Sequence, residues 1–141
     1  MNTNPEINVQ ELDIKYLDNN ILYYKIIGVV KLEHIKIINE ELKKAIIKTG
    51  VSKIITNTID MSVISKEAQE YNNQYLIPLW EQLGIKYNAL ILSTNAFGQW
   101  SAQTLAKDYK TRAKIAESKN TFQVEMFDSL ENALNWISSI E

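Results

Sequence analysis

The sequence predicts an α/β fold: a mixed, mostly parallel five-stranded sheet with four helices, in the order ββαβαβαβα. Three observations carry this. Two β-rich runs stand near the N-terminus with only a polar turn, "DNN", between them. Beyond them the apolar residues switch repeatedly between alternation, the period of a strand, and spacings of three and four, the period of a helix. Strands separated by helical segments pair in parallel through right-handed crossovers, which lay the helices on the faces of the sheet.

Residues 1–9 are polar and are expected to form a flexible tail, leaving 10–141 as a single domain. "ELDIKYL" places Leu12, Ile14 and Tyr16 on one face and Asp13 and Lys15 on the other, a half-buried strand. "ILYYKIIGVV" is rich in branched and aromatic residues and completes a hairpin. Leu32, Ile35, Ile38, Leu42, Ala45 and Ile46 then fall at helical spacing, and Gly50 ends that helix. "KIITNTI" (53–59) reads as the third strand, and "DMSVIS" after it as a loop.

In residues 66–83, Ala68, Tyr71, Tyr75, Leu76, Leu79, Trp80 and Leu83 make one apolar stripe. Pro78 lies inside it and should kink the helix, because proline has no N–H and its ring clashes with the preceding turn. "YNALILST" (87–94) is nearly continuous in apolar residues, as a central strand covered on both faces should be. Residues 97–117 return to helical spacing, with Phe97, Trp100, Leu105 and Tyr109 on one side. "TFQVEMF" (121–127) alternates as the last strand, and "DSLENALNWISSI" is the last helix. There Asp128 and Glu131 have capping-box spacing, and Leu130, Ala133, Leu134 and Ile137 form the stripe to be buried.

Composition narrows the function. A net charge of −2 offers no general field for nucleic acid, and no apolar stretch approaches the ~20 residues that span a bilayer. The absence of cysteine removes thiol chemistry and thiolate metal sites; with no signal-peptide pattern at the N-terminus, a cytoplasmic protein is expected. His34 is the only histidine and sits among Glu33 and Lys36 off the apolar stripe, so Ser-His-Asp catalysis and a zinc site are not expected. Gly28, Gly50, Gly84 and Gly98 stand alone, so no phosphate-binding loop is present. No catalytic residue, metal or cofactor is therefore expected. The basic stretch 106–119 is interrupted by Asp108 and Glu117 and reads as a solvated helix face.

The ordered set "GVV", "SKEAQEYNNQYLIPLWEQLG", "NALILS", "FGQ" and "FDSLENALNWI" covers nearly all of residues 10–141. With it the chain resembles the STAS superfamily, and within it the SpoIIAA-like group of small stand-alone bacterial proteins. The resemblance implies a binding or regulatory module that acts through protein–protein contacts. It also implies a phosphorylation switch on a serine at the helix start after the third strand. Ser62 and Ser65 occupy that region, where "DMSVISKE" replaces the family's "DSSG". The related lipid-carrying CRAL-TRIO fold implies an alternative, a carrier or sensor of an apolar or lipid-like ligand. That ligand would lie at the carboxyl ends of the strands, between the helices led by Ser65 and Phe97.

The candidate partner- or ligand-binding residues are Asp60, Ser62, Ser65, Tyr75, Trp80, Asn95 and Gln99. Ser62 and Ser65 are also the candidate phosphorylation sites. Ser65 is equally suited to cap the helix that follows. In "STNAFGQW" (93–100), Phe97 and Trp100 share the packed face of the expected helix, which leaves Asn95 and Gln99 as a polar rim. Tyr75 and Trp80 become contact residues if their helix is only half covered, the partner being another protein or a second copy in a homodimer.

Overall fold

The computed structural model describes residues 13–92, 107 and 123–140. In chain order they form β1 (Lys15–Leu17), β2 (Ile21–Lys25), β3 (Gly28–Val30), α1 (Leu32–Thr49), β4 (Lys53–Asn57) and β5 (Met61–Ile64). A long helical unit follows: α2 (Lys66–Tyr71), a π turn (Asn72–Leu76) and α3 (Ile77–Gln82). The chain continues through β6 (Tyr87–Ile91), β7 (Gln123–Phe127) and α4 (Leu130–Ser138). The main sheet has the order β1-β2-β4-β6-β7, with β1 antiparallel to β2 and every other pair parallel. This is the expected mixed, mostly parallel five-stranded sheet. Three helical units stand among the described residues where four helices were expected. The expected helix over 97–117 falls outside them, apart from Lys107, which is helical and exposed.

The hairpin forms because Asn19 and Asn20 take left-handed φ angles of 66° and 68°, which asparagine tolerates better than most residues. The Asn20 amide also donates to Ser52 Oγ at 2.7 Å, tying this turn to the loop after α1. Two readings of this region are corrected. "ILYYKIIGVV" is two strands, since the chain leaves the main sheet after Lys25 and re-forms as β3. "DMSVIS" contains a strand, β5, which pairs in parallel with β3 as a separate two-stranded ribbon. Gly28, at φ +75°, turns the chain out of the sheet. Its N–H donates to the Asp60 carbonyl at 3.0 Å, and Ser65 N–H closes the other end on the Val30 carbonyl at 2.9 Å.

α1 buries Ile35, Ile38, Leu42 and Ile46, and Gly50 ends it in the left-handed conformation, donating to Ile46. In the long helical unit the strain at Pro78 is taken up by the π turn, in which Ile77 N–H reaches back to the Asn72 carbonyl. A π turn inserts one residue and so advances the helical phase by roughly 100°. The buried line accordingly runs Ala68, Asn72, Leu76 and then Ile77 and Trp80, leaving Tyr75 outside. α4 is capped by Ser129, which accepts from Asn132 N–H at 3.1 Å, one position later than expected. Asp128 instead holds the Asn132 side-chain amide at 2.9 Å. Of the expected stripe, Ala133 and Ile137 are buried and Leu130 is exposed.

Strands stepping one way along a sheet through right-handed crossovers deliver their helices to one face. α1 and the α2–α3 unit do share a face, where Leu22, Tyr24, Ile54 and Leu90 meet Ile38, Leu42, Ile77 and Trp80 in the larger core. α4 covers the other face, packing Ala133 and Ile137 on Ile21, Ile55, Ala89 and Ile91.

Candidate functional site

The carboxyl ends of the parallel strands gather the turn after β4, the β3–β5 ribbon and the start of α2. Asn57 shapes the turn: its Oδ1 accepts Ile59 N–H at 2.9 Å while its amide donates to Tyr23 Oη at 2.9 Å. Asp60 follows and pairs with Lys25 at 2.7 Å. The hydrogen bond that Lys25 donates to the Asp60 carboxylate holds its ammonium above its ordinary pKa, partly opposed by burial. This pair fastens the turn to the end of β2 across a gap that the sequence does not reveal. Val29 on β3 and Ile27 just before it are 54% and 55% exposed, two branched apolar side chains in water, and Val29 pairs in register with the half-buried Val63. Ser65 ends the ribbon as the N-cap of α2, its Oγ accepting Ala68 N–H at 3.2 Å. Gln69 reaches back to the Ile64 carbonyl at 3.2 Å.

A second feature is a groove of about 350 Å³ between α1 and the π turn, lined by Asn39, Lys43, Tyr71, Tyr75, Pro78 and Leu79, among others. The Tyr71 and Tyr75 rings lie 4.8 Å apart at 39°, and the Lys36 ammonium sits 5.7 Å from the Tyr71 centroid. Tyr75 is 58% exposed. Asn39 donates to Asn72 Oδ1 at 3.3 Å, while its own Oδ1 is buried without a hydrogen-bond partner in the protein.

Beneath the ribbon lies an enclosed cavity of about 20 Å³, bordered by Tyr24, Thr56, Thr58, Asn72 and Asn88 together with apolar neighbours. At that size it has room for one water and none for a lipid chain.

The expected site residues separate into four groups. Asp60 and Ser65 flank the two ends of β5, and Ser62 lies on the strand between them. Tyr75 is displaced to the groove. Trp80 is 1% exposed and belongs to the core, because the π turn rotates it inward; it is not a contact residue. Asn95 and Gln99 lie outside the described residues. Ile27 and Val29 were missed, since inside "ILYYKIIGVV" they read as ordinary strand residues; the glycine between them was the available signal. Among the described residues no group of three His, Asp or Glu side chains is placed to hold a metal ion. No described helix is long and apolar enough to cross a membrane.

This architecture is a SpoIIAA-like, STAS-type fold. The chain is similar to the anti-sigma factor antagonist SpoIIAA in its unphosphorylated form, with a TM-score of 0.57 and 15% identity over 90% of this chain and 97% of that one. It is also similar to an uncharacterised DUF3478-family protein with a SpoIIAA-like fold from Shewanella loihica PV-4, with a TM-score of 0.53 and 16% identity over 87% and 89% of the two chains. Neither a family model nor a curated protein matches the sequence.

Proposed function

We propose that the chain is a non-catalytic STAS-type module of the cytoplasm that contacts a partner protein through the β3–β5 ribbon and the start of α2. The observation that carries this is the exposure of Ile27 and Val29 at β3, whose partner strand β5 leads into the Ser65 cap. Branched apolar side chains held in water gain by being covered, at roughly 25 cal/mol per Å². The similarity to an anti-sigma factor antagonist supports the same reading. The test is affinity capture from the native host with wild type and the Ile27→Asp/Val29→Asp variant. A protein retained by wild type and lost by the variant supports the ribbon as the contact. Equal retention of every captured protein by both sinks it. Sedimentation of the same pair shows whether the occupant is a second copy, as a dimer that the variant loses.

Phosphorylation of Ser62 or Ser65 would regulate this contact. A phosphate on Ser65 would meet the free N–H groups of the first helical turn, and one on Ser62 would place charge within the apolar ribbon. Intact-mass measurement of the protein from its host across growth conditions tests this. A chain that never gains a phosphate removes the switch and leaves the contact standing.

The groove favours a second reading, a sensor or carrier of a small ring-bearing ligand. Its volume is at the lower end for such sites, and the exposed Tyr75 ring offers a stacking surface. Amide shift mapping with indole as probe tests it: movement confined to Tyr71–Leu79 and Asn39–Lys43 supports the site, and none excludes it.

A further inference from the structure

We propose that the enclosed cavity beneath the ribbon is a hydration site, in which one water held by Tyr24, Asn72 and Asn88 closes a hydrogen-bond circuit between the sheet and the π turn. This stands independently of the partner-binding reading. The cavity, about 20 Å³, exceeds the roughly 10–15 Å³ that one water needs. Five of its eleven lining residues are polar, whereas dry cavities are lined by aliphatic and aromatic carbon.

The direction of each hydrogen bond leaves a gap of matching chemistry. The Asn88 amide donates to the Ile54 carbonyl at 3.1 Å and to Thr56 Oγ1 at 3.0 Å. Thr56 Oγ1 thus accepts from Asn88, which leaves its own proton to be donated, and the buried Tyr24 borders the same cavity. The Tyr24 proton then needs an acceptor. At the other end of this hydrogen-bond chain Asn88 Oδ1 needs a donor: the residue is 0% exposed, and that oxygen has no hydrogen-bond partner among the described residues. A water that accepts from Tyr24 and donates to Asn88 satisfies both. Asn72 lines the same cavity, and its Oδ1 is already taken by Asn39, so its NH₂ group is the one left for the water. Asn72 opens the π turn, and Met61 and Ile64 of β5 roof the cavity. The water is therefore a joint where sheet, ribbon and π turn meet.

The experiment uses the full chain. A crystal structure that resolves ordered waters should show one peak in the cavity, within hydrogen-bond distance of Asn88 Oδ1. In solution, a long-lived water should give cross-relaxation to the Asn88 side-chain amide protons. Tyr24→Phe, which removes one donor and keeps the ring, should weaken that signal. Asn88→Leu, which removes the acceptor and fills the space, should abolish the peak. A wild-type cavity left empty in a structure that resolves the neighbouring ordered waters overturns the proposal. So does a water that persists unchanged in Asn88→Leu. If Asn88→Leu does not fold, the wild-type density and the Tyr24→Phe signal decide the matter.

Discussion

Ser65 is asked to hold a helix and to be a candidate switch with one hydroxyl. Its Oγ takes the Ala68 N–H that the first turn of α2 leaves over. Ser65→Ala should therefore cost ~1 kcal/mol, and Ser65→Asp, which also caps, should stay near wild type. Urea unfolding of the three proteins checks this; an alanine variant as stable as wild type would remove the cap from the account. Tyr24 gives a second prediction. Its phenol is buried, and desolvation raises its pKa from the ordinary 10.0, only partly countered by the Thr56 hydrogen bond. The folded chain thus keeps this proton after the unfolded chain has released it. Stability is full below pH 10 and falls as pH rises past it. Lys25 is likewise raised from 10.5 by Asp60, and its contribution is also lost only on the alkaline side. Urea midpoints should be level through neutral pH and drop above about pH 10, with a shallower drop in Tyr24→Phe. An equal drop in both proteins would place the alkaline loss elsewhere. The Ser65 cap was legible because it depends on three neighbouring residues. The Lys25–Asp60 pair was not, since nothing local relates two residues with 34 positions between them.

At the scale of elements, what could be read and what could not divide along the same line. α1 was legible from its stripe and from Gly50 at its end, and that glycine makes a clean test. It sits at φ +68°, and a Cβ there would meet nothing within 4 Å. Gly50→Ala should cost roughly 1–2 kcal/mol from backbone conformation alone, and Gly50→Asn should cost less. Thermal unfolding of both decides it; an alanine variant at wild-type stability would mean the helix end re-forms without the left-handed residue. The π turn was not legible. Pro78 announces a disturbance, but a kink and an inserted residue relieve it equally well on paper, and they send Tyr75 and Trp80 to opposite environments. Packing decides: only the inserted residue brings Ile77 and Trp80, each 1% exposed, into the core. The ribbon was hidden for another reason. β5 is four residues with neither alternation nor a turn signal, and it is a strand only because β3, more than thirty residues earlier, is there to pair with.

Among the described residues the sheet has unequal coverings on its two faces. Its parallel order was legible, because alternating strands and helices allow little else. Which helix covers which face was not, since every amphipathic stripe looks alike until the strands fix the direction of each crossover. The outcome is a larger core under α1 and the α2–α3 unit, and a smaller one under α4. This asymmetry has a dynamic consequence. α1 is 18 residues long and inserts Ile35, Ile38, Leu42 and Ile46, each no more than 2% exposed. α4 has nine residues and fully buries only Ala133 and Ile137, with Leu134 and Trp136 half-covered. Trp136 adds an edge contact to Tyr87 and a tilted contact to Phe127, at ring distances of 6.2 Å and 5.6 Å, and the Ile140 carbonyl receives the buried Lys53 ammonium. These hold the end of α4, but the opening of that helix exposes far less apolar surface than the opening of α1. Native-state hydrogen exchange should therefore show α4 amides opening below the global unfolding free energy, while the central turns of α1 exchange only with the whole. Ile137→Ala should lower α4 protection first. Leu42→Ala should remove ~2–5 kcal/mol from the whole molecule and bring every protected amide down together. If α4 and α1 exchange with the same free energy in wild type, the two coverings form one cooperative unit and the inequality of the cores has no dynamic expression.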